Sequence, residues 1–439
     1  MSILNDTVLE SNKYLKLNFN GGDLSSDAGL LLIKEFAYKL GFVNILKKEF
    51  KTSDSAPFRF HKDDENLWQV IYQILGAYFE DDCADELTND PVLTAILSKK
   101  VLASQPTLSR FFNRMDEATL NQFYDLMRRF RKVVYSVKKP EMLLLDLDST
   151  LLNTYGHQEG EGFNFHYQNR GYHPLVCYDG ITGDLLKIEL RNGTDYSSTG
   201  VMEFLQPLLD EFGAEYPDIP LLLRGDSGFT KPELYHQCET NGVSYAIRLK
   251  ENGILRASDI DAQLTEITRN DMVSYAVCYG EFLYQAKSWD YPRRVVCKIE
   301  KPTGQFIRMY TFIITNMDSK AEKVVKFYCK RGAMENYIKE SKNGFDFAAV
   351  SSSSKIVNAN RLQIHALAYN IFSWFKRLAL SAAMRKQQID TIRLKLLKIA
   401  AKVVHSARYI TFKLCSSCPY KDEFYETLEN IRGLQPKLE

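Results

Sequence analysis

The sequence predicts an α/β fold in which a mixed sheet is flanked by helices, interrupted by a β-rich insertion and preceded by a mostly helical N-terminal domain. Three observations lead to this prediction. Two apolar runs, 142–145 and 219–223, each lead into an acidic residue and are typical of strands buried on both faces of a sheet. Helical periodicity dominates residues 1–137, whereas alternating β patterns fill 250–315. The 439 residues suffice for two or three domains.

Start and stop signals delimit the helices of the N-terminal domain. Ser26 precedes a periodic stretch over 28–40, Asp63 opens another to residue 79, and further helices are predicted over 104–115 and 116–137. The last two carry six basic side chains: Arg110, Arg114, Arg128, Arg129, Arg131 and Lys132. Two interpretations remain open, a helix pair that docks on DNA and an all-helical domain with ordinary surface arginines.

The first buried strand ends in two acids. Side chains alternate across a strand, so Asp146 and Asp148 point to one face, with Asp148 nearer the C-terminal end where open α/β sheets bind their ligands. Because an unpartnered buried carboxylate is costly, three interpretations remain: a structural ion pair, a helix cap by Asp148, or a cation site.

A second strand also ends in an acid. Strands predicted over 172–178 and 185–191 and a helix over 197–212 precede the strand 219–223, which leads into Asp226. Gly225 and Gly228 allow a close backbone approach, and Ser227 is suited to cap the next helix, although Asp226 could serve as that cap itself. Neighbouring parallel strands would bring Asp148 and Asp226 together.

A strand over 243–248 closes this part, and residues 250–317 are then predicted to form an inserted β subdomain without helices. Its strands are expected over 272–277, 282–287, 294–300 and 306–314. Trp289 stands among aromatic and basic residues at a predicted loop. An exposed tryptophan there could stack on an unpaired base, but packing in a small β core is the favoured interpretation.

One helix, predicted over 319–343, carries an unusual stripe of side chains. At about 100° per residue, Tyr328, Arg331, Glu335 and Lys342 share one face. A tyrosine, two cations and an acid make a poor core face. A binding site explains them better, with Glu335 on a metal ion and Arg331 and Lys342 on phosphates.

Charge is unevenly distributed along the chain. The net charge is +1, but residues 320–408 contain 18 Lys and Arg against five acids. Basic helices are predicted over 358–385 and 389–405, and such an excess favours a polyanion partner over a merely solvated surface. No apolar run is long enough to cross a membrane and no signal peptide is visible, so a cytoplasmic protein without a membrane partner is expected.

The spacing Tyr-x2-Arg-x3-Glu-x6-Lys resembles the signature of insertion-sequence transposases with an RNase H-like, Asp-Asp-Glu catalytic domain. The resemblance covers roughly residues 28–377 and is to the branch numbered thirteen-eighty. Four further stretches carry it: Ser104-Gln-Pro-Thr-Leu-Ser-Arg110, Asp148-Ser-Thr150, Gly171-Tyr-His-Pro174 and Arg224-Gly-Asp-Ser-Gly-Phe229.

The resemblance implies cut-and-paste transposition by an RNase H-like sheet. The implied catalytic and metal-binding acids are Asp148, Asp226 and Glu335, with two Mg²⁺ or Mn²⁺ ions and Asp146 as a lower-ranked ligand. The implied DNA-binding residues are Tyr328, Arg331, Lys342, Lys339, Trp289 and Arg110. The implied partners are transposon terminal inverted repeats and target DNA, bound by a homodimer.

The expected domains are 1–137 (DNA binding), 138–249 and 318–387 (catalytic), 250–317 (insertion) and 388–439 (basic helical region). Two other functions remain open, a structure-selective nuclease of the same fold and a transposase-derived DNA-binding protein without activity.

Overall fold

A computed structural model describes residues 6–56, 58–256, 259–268, 274–305 and 307–438. The chain divides into two compact units. One comprises residues 1–138, 342–349 and 360–439, and the other comprises 139–341 and 350–359. No helix among the described residues has the length and apolar character needed to cross a membrane.

The N-terminal part is mostly helical, as predicted. Its elements are β1 (Thr7–Leu9), β2 (Asn12–Leu17), β3 (Leu24–Ser25), α1 (Leu30–Lys39), α2 (Phe42–Glu49), α3 (Asp63–Leu75), α4 (Cys83–Glu86), α5 (Pro91–Leu97), α6 (Gln105–Phe112) and α7 (Glu117–Val137). The Asp116 side chain caps α7 by accepting a hydrogen bond from the backbone N–H of Thr119. Phe42 stacks on Phe130 with ring centroids 4.0 Å apart and also contacts Trp374, which is fully buried.

The second unit contains most of the strands. Its elements are β4 (Leu143–Ser149), β5 (Leu152–Asn153), β6 (Gly162–Asn164), β7 (Asn169–Tyr172), β8 (Leu175–Asp179), β9 (Leu185–Glu189), α8 (Val201–Glu215), β10 (Leu221–Gly225), α9 (Pro232–Thr240), β11 (Ser244–Leu249), α10 (Gly253–Arg256), α11 (Asp259–Thr268), β12 (Ala276–Tyr284), β13 (Arg293–Lys301), β14 (Met309–Thr315) and α12 (Ala321–Cys329).

Eight of these strands form one mixed sheet in the order β12-β13-β14-β11-β10-β4-β8-β9. Strands β4, β10 and β11 are parallel, and the remaining pairs are antiparallel. The apolar residues 143–145 place β4 in the middle of the sheet, where both of its faces are covered. The predicted mixed sheet flanked by helices is confirmed.

The predicted β insertion differs from the structure in two respects. Its strands β12, β13 and β14 extend the large sheet, because β14 pairs with β11. The expectation that no helix occurs here is wrong, since α11 covers residues 259–268. Of the predicted strand positions, residues 272, 273 and 306 lie outside the described residues.

The helix predicted over 319–343 is interrupted. Helix α12 ends at Cys329, a 3₁₀ turn covers Lys330–Gly332, and α13 (Ala333–Phe345) follows. Helix α13 therefore continues to Phe345, two residues beyond the predicted end at residue 343. Because the turn changes the angle per residue, the single stripe predicted at 100° per residue does not continue from Tyr328 to Lys342.

One of the helices predicted for the C-terminal part is only partly present. Its elements are α14 (Lys355–Ala379), α15 (Ile389–Ile392), β15 (Ala401–His405), β16 (Ile410–Leu414) and α16 (Lys421–Gly433). Of the helix predicted over 389–405, the first part is helical, as α15 and the π-helical turn Arg393–Leu397. The last part is wrong, because residues 401–405 pair with β16 and β3 as a strand. The β-branched residues Val403 and Val404 favour that outcome.

Candidate active site

Asp148 and Asp226 stand at the ends of neighbouring parallel strands. Strands β4 and β10 pair with Arg224 opposite Asp146. Side chains two residues apart share a face, so Asp148 and Asp226 lie together one step beyond that pair. Their carboxylates interact electrostatically, and the side chain of Asp148 is 18% exposed. The structure thus brings these two predicted site residues together.

A guanidinium partly neutralises Asp148. Nη2 of Arg331 lies 3.0 Å from Oδ2 of Asp148 and donates a hydrogen bond to the carbonyl oxygen of Leu147 at 2.7 Å. Oδ1 of Asp148 accepts a hydrogen bond from the backbone N–H of Ser149 at 2.9 Å. Burial raises the pKa of Asp148, Arg331 lowers it and Asp226 raises it again, so the pKa lies above its ordinary value.

Asp226 also caps a short turn. Its Oδ1 accepts a hydrogen bond from the backbone N–H of Gly228 at 2.8 Å, at the start of the 3₁₀ turn Ser227–Phe229. The sequence left open whether Ser227 or Asp226 caps the element that follows the strand. In the structure Asp226 caps this turn. A Cβ atom at Gly228 would lie 3.0 Å both from Oδ1 of Asp226 and from Cβ of Ser197, so a glycine permits this close approach.

Tyr328 and Arg331 border the carboxylates from the end of α12. Tyr328 is only 9% exposed and packs with Ala246, Val296 and Ile313. Burial raises the pKa of Tyr328; Arg331 lowers it, and the two carboxylates add to the increase. Tyr328 thus borders the site as a buried, packed side chain. Among the described residues, none accepts a hydrogen bond from the buried Nε of Arg331.

The lower-ranked candidate Asp146 is not available to a metal ion. It is fully buried, and its two oxygens each lie 2.6 Å from a guanidinium nitrogen of Arg224. The sequence left three interpretations open for the acids of this strand, and for Asp146 the structural ion pair is correct. An arginine opposite it on the next strand provides the partner, a fact that one strand alone cannot reveal.

Glu335 is separated from the two aspartates. It is exposed in the first turn of α13. Within the described ranges, no three His, Cys, Asp or Glu side chains lie close enough to hold one metal ion, so Glu335 does not complete a cluster with Asp148 and Asp226 in this structure. Lys339 is exposed farther along the same helix, whereas Lys342 is partly buried, and burial lowers its pKa.

Trp289 is not an exposed stacking platform. It is 6% exposed and packs edge to face against Tyr235 and Tyr284, with ring centroids 5.5 and 5.4 Å apart. Arg293 lies 5.9 Å from its ring. The alternative of core packing is therefore correct, and the base-stacking role implied by the resemblance lacks an accessible ring.

The basic helix pair of the N-terminal domain is less basic at its surface than its sequence suggests. Arg110 is exposed, as a DNA-binding role would require. However, Arg131 is buried and Arg114 forms an ion pair with Asp63 at 2.8 Å. Some of the predicted cations therefore serve the internal structure of this unit.

The same holds for the basic C-terminal stretch. Arg361 pairs with Asp81 at 2.9 Å, and Lys398 pairs with Asp27 at 2.6 Å. Arg393 is buried and donates to the carbonyl oxygens of Ile74 and Leu75. Part of the positive charge over 320–408 thus belongs to side chains that make internal contacts. These side chains do not contribute to the DNA-binding surface that the sequence predicts.

Two residues that support the site were not predicted from the sequence, because neither belongs to a recognisable motif. The hydroxyl of Tyr167 donates to the carbonyl oxygen of Ser149 at 3.0 Å; burial, with Asp148 and Asp226, raises the pKa of Tyr167 to about 12. Arg191 is buried and donates through Nη1 to the carbonyl oxygens of residues 196, 197 and 199. It thereby fixes Ser197, whose hydroxyl lies 3.1 Å from that of Ser149.

One comparison with known proteins identifies the family at the level of the DDE transposases. A family model described as "Transposase DDE domain group 1" matches residues 8–436. The solved structures that the chain matches include the cryo-EM structure of the piggyBac transposase synaptic complex with hairpin DNA. That chain is 12% identical, with a TM-score of 0.42, over 85% of this chain and 80% of that one. No curated protein matches the sequence.

Proposed function

Because the chain belongs to the transposase DDE domain group 1 family, we propose that it is a cut-and-paste DNA transposase that cleaves transposon ends and joins them to target DNA. The observation that carries this proposal is the pair Asp148 and Asp226 at adjacent parallel strand ends, with Arg331 beside them. The proposed sheet type is RNase H-like, as the family resemblance implies.

The donor set fits a hard divalent cation. Asp148 and Asp226 offer carboxylate oxygens, which Mg²⁺ and Mn²⁺ prefer over the nitrogen and sulfur ligands of zinc. Their mutual repulsion contributes to the raised pKa of Asp148, and a cation would relieve it. Two bound ions would supply charge neutralisation at the attacking and leaving oxygens of a phosphodiester.

The residues of the chain have distinct proposed roles. Asp148 and Asp226 hold the ions, and Glu335, exposed at the start of α13, is the third ligand that the resemblance assigns. The side chain of Arg331 lies beside Asp148 and is 14% exposed, which suits a contact with a phosphate oxygen of the scissile strand. Lys339 and Lys342 are proposed to contact the DNA backbone, as is Arg110.

Exposed aromatic side chains in the segment that precedes Tyr167 are proposed to contact DNA in place of the buried Trp289. Phe165 is 81% exposed and lies 5.2 Å from the ring of Phe163. It precedes Tyr167 by two residues, and Tyr167 is bound to the strand end at Ser149. Exposed aromatic rings of this kind stack on unpaired bases.

The test uses a duplex that ends in the element's own terminal repeat, with Mg²⁺ or Mn²⁺. The wild-type protein should cleave the duplex and join the freed 3′ end to a target plasmid. Asp226→Asn and Glu335→Gln should bind the duplex and fail to cut it. Cleavage without joining would identify a structure-selective nuclease, and binding without any cleavage by the wild type would identify a DNA-binding protein without activity. Unchanged cleavage by Glu335→Gln would remove Glu335 from the mechanism.

A further inference from the structure

A buried ion pair lies directly beneath the two site carboxylates. Nε and Nη2 of Arg224 each lie 2.6 Å from an oxygen of Asp146, and the two side chains are 1% and 0% exposed. The pair joins strands β10 and β4 at the position just before Asp226 and Asp148 on the same face. Its geometry is the bidentate fork that makes arginine–carboxylate pairs directional.

The same guanidinium also binds the end of a helix. Nη1 of Arg224 donates to the carbonyl oxygen of Phe327 at 2.7 Å, and the guanidinium carbon lies 5.1 Å from the Phe327 ring centroid. Phe327 is in the last turn of α12, which ends at Cys329. Carbonyl groups of a last turn lack partners within the helix, and the negative end of the helix dipole favours a cation there.

The chain beyond this contact carries the site. Tyr328 follows Phe327 directly, and Arg331 lies in the turn after α12, where it contacts Asp148 and Leu147. We propose that Arg224 and Asp146 are positioning residues, which hold the end of α12 against the two strand ends and thereby set the place of Arg331 relative to Asp148. For its catalytic consequence, this inference rests on the proposed transposase function.

Gly180 provides a way to disturb the pair without removing a charge. A Cβ atom at residue 180 would lie 2.3 Å from Oδ2 of Asp146 and 2.8 Å from Nη2 of Arg224. The backbone N–H of Gly180 donates a hydrogen bond to the carbonyl oxygen of Leu144, and this bond opposes a shift of the backbone away from the added methyl group. Gly180→Ala should therefore displace the fork without removing any charged group.

A merely structural role makes a different prediction. Buried ion pairs can often be replaced by apolar side chains of similar volume with no loss of stability, whereas removal of one partner is strongly destabilising. The double variant Asp146→Leu with Arg224→Met should thus keep the fold but lose the bond to the Phe327 carbonyl. If the pair is only structural, the double variant should cleave DNA at the wild-type rate. If the pair positions α12, the double variant should be stable but cleave DNA slowly.

The experiment compares this double variant and Gly180→Ala with the wild-type full chain. The matched control is Glu239→Leu with Arg293→Met, because Arg293 forms another bidentate fork in this unit, at 2.9 and 3.1 Å. Among the described residues, no hydrogen bond joins that pair to α12. Three quantities are measured: the melting temperature, amide hydrogen exchange of a peptide over 326–334, and cleavage kinetics on the terminal-repeat duplex with Mn²⁺.

For the double variant and Gly180→Ala we expect folded proteins whose DNA affinity stays within about twofold while the cleavage rate constant falls about a hundredfold, the scale of a 1 Å misplacement. Exchange over 326–334 should rise at least tenfold in both variants, and neither change should occur in the control. Wild-type exchange over 326–334 in the double variant, or its cleavage at the wild-type rate, would overturn the proposal. A wild-type protein that does not cut DNA would reject the proposed function, and the exchange measurement would still decide on positioning.

Discussion

Removal of the Arg331 guanidinium should strengthen divalent cation binding at the site. Arg331 and a metal ion would compete for the same carboxylate, since Nη2 of Arg331 lies 3.0 Å from Oδ2 of Asp148. Two unit charges about 4 Å apart interact by about 1 kcal/mol in water and by about 4 kcal/mol at an effective dielectric constant of 20. The side chains are 14% and 18% exposed, which places this pair between the two limits.

We therefore expect Arg331→Met to lower the dissociation constant for Mn²⁺ at pH 8 by at least about fivefold, the equivalent of about 1 kcal/mol. The gain should shrink as the pH falls. The pKa of Asp148 is already raised, and loss of Arg331 raises it further because the neighbouring cation favoured ionisation. Protons then compete with Mn²⁺ for this carboxylate from a higher pH than in the wild type.

The assay is a titration of the free protein with Mn²⁺, in which unbound Mn²⁺ is followed by electron paramagnetic resonance at several pH values. Arg331→Lys is the matched control, because it keeps a positive charge beside Asp148 and should stay closer to the wild type. An equal affinity for Mn²⁺ in the wild type and Arg331→Met at pH 8 would refute the reasoning, since it would show that the guanidinium does not compete for Asp148.

Three further variants separate DNA contacts from packing. Phe165→Ala should weaken binding of a terminal-repeat duplex with unpaired end bases by about 1 kcal/mol, the low end for base stacking on an exposed ring, and leave a fully paired duplex unaffected in a competition assay. Lys342→Ala should weaken end binding and reduce the salt dependence of the binding constant by about one phosphate contact; an unchanged salt slope would argue against that contact. Trp289→Ala should destabilise the protein by about 3–5 kcal/mol in urea unfolding because the ring is buried, and a selective loss of DNA affinity without loss of stability would instead restore the base-stacking role.

The sequence determined the local elements and the first two acids of the site. Short apolar runs at 143–145 and 221–223 indicated buried strands, and the alternation of side chains put the acids of the first strand on one face. The capped helix α7 and the mixed sheet followed from equally local signals. The spacing of the tyrosine, arginine, glutamate and lysine pointed to the family without any knowledge of contacts.

Tertiary structure decided which charged groups meet. Asp146 and Asp148 share one face of the predicted strand, yet Asp146 is fully buried against Arg224 and Asp148 faces Asp226, because strand register fixes the partner of each. The C-terminal strand 401–405 pairs with the adjacent strand β16 and with the distant residues 24 and 25, a partnership that the predicted helical pattern did not reveal. Burial of Trp289 likewise depends on rings of residues 235 and 284, so its accessibility is a property of the folded core and not of the loop that carries it.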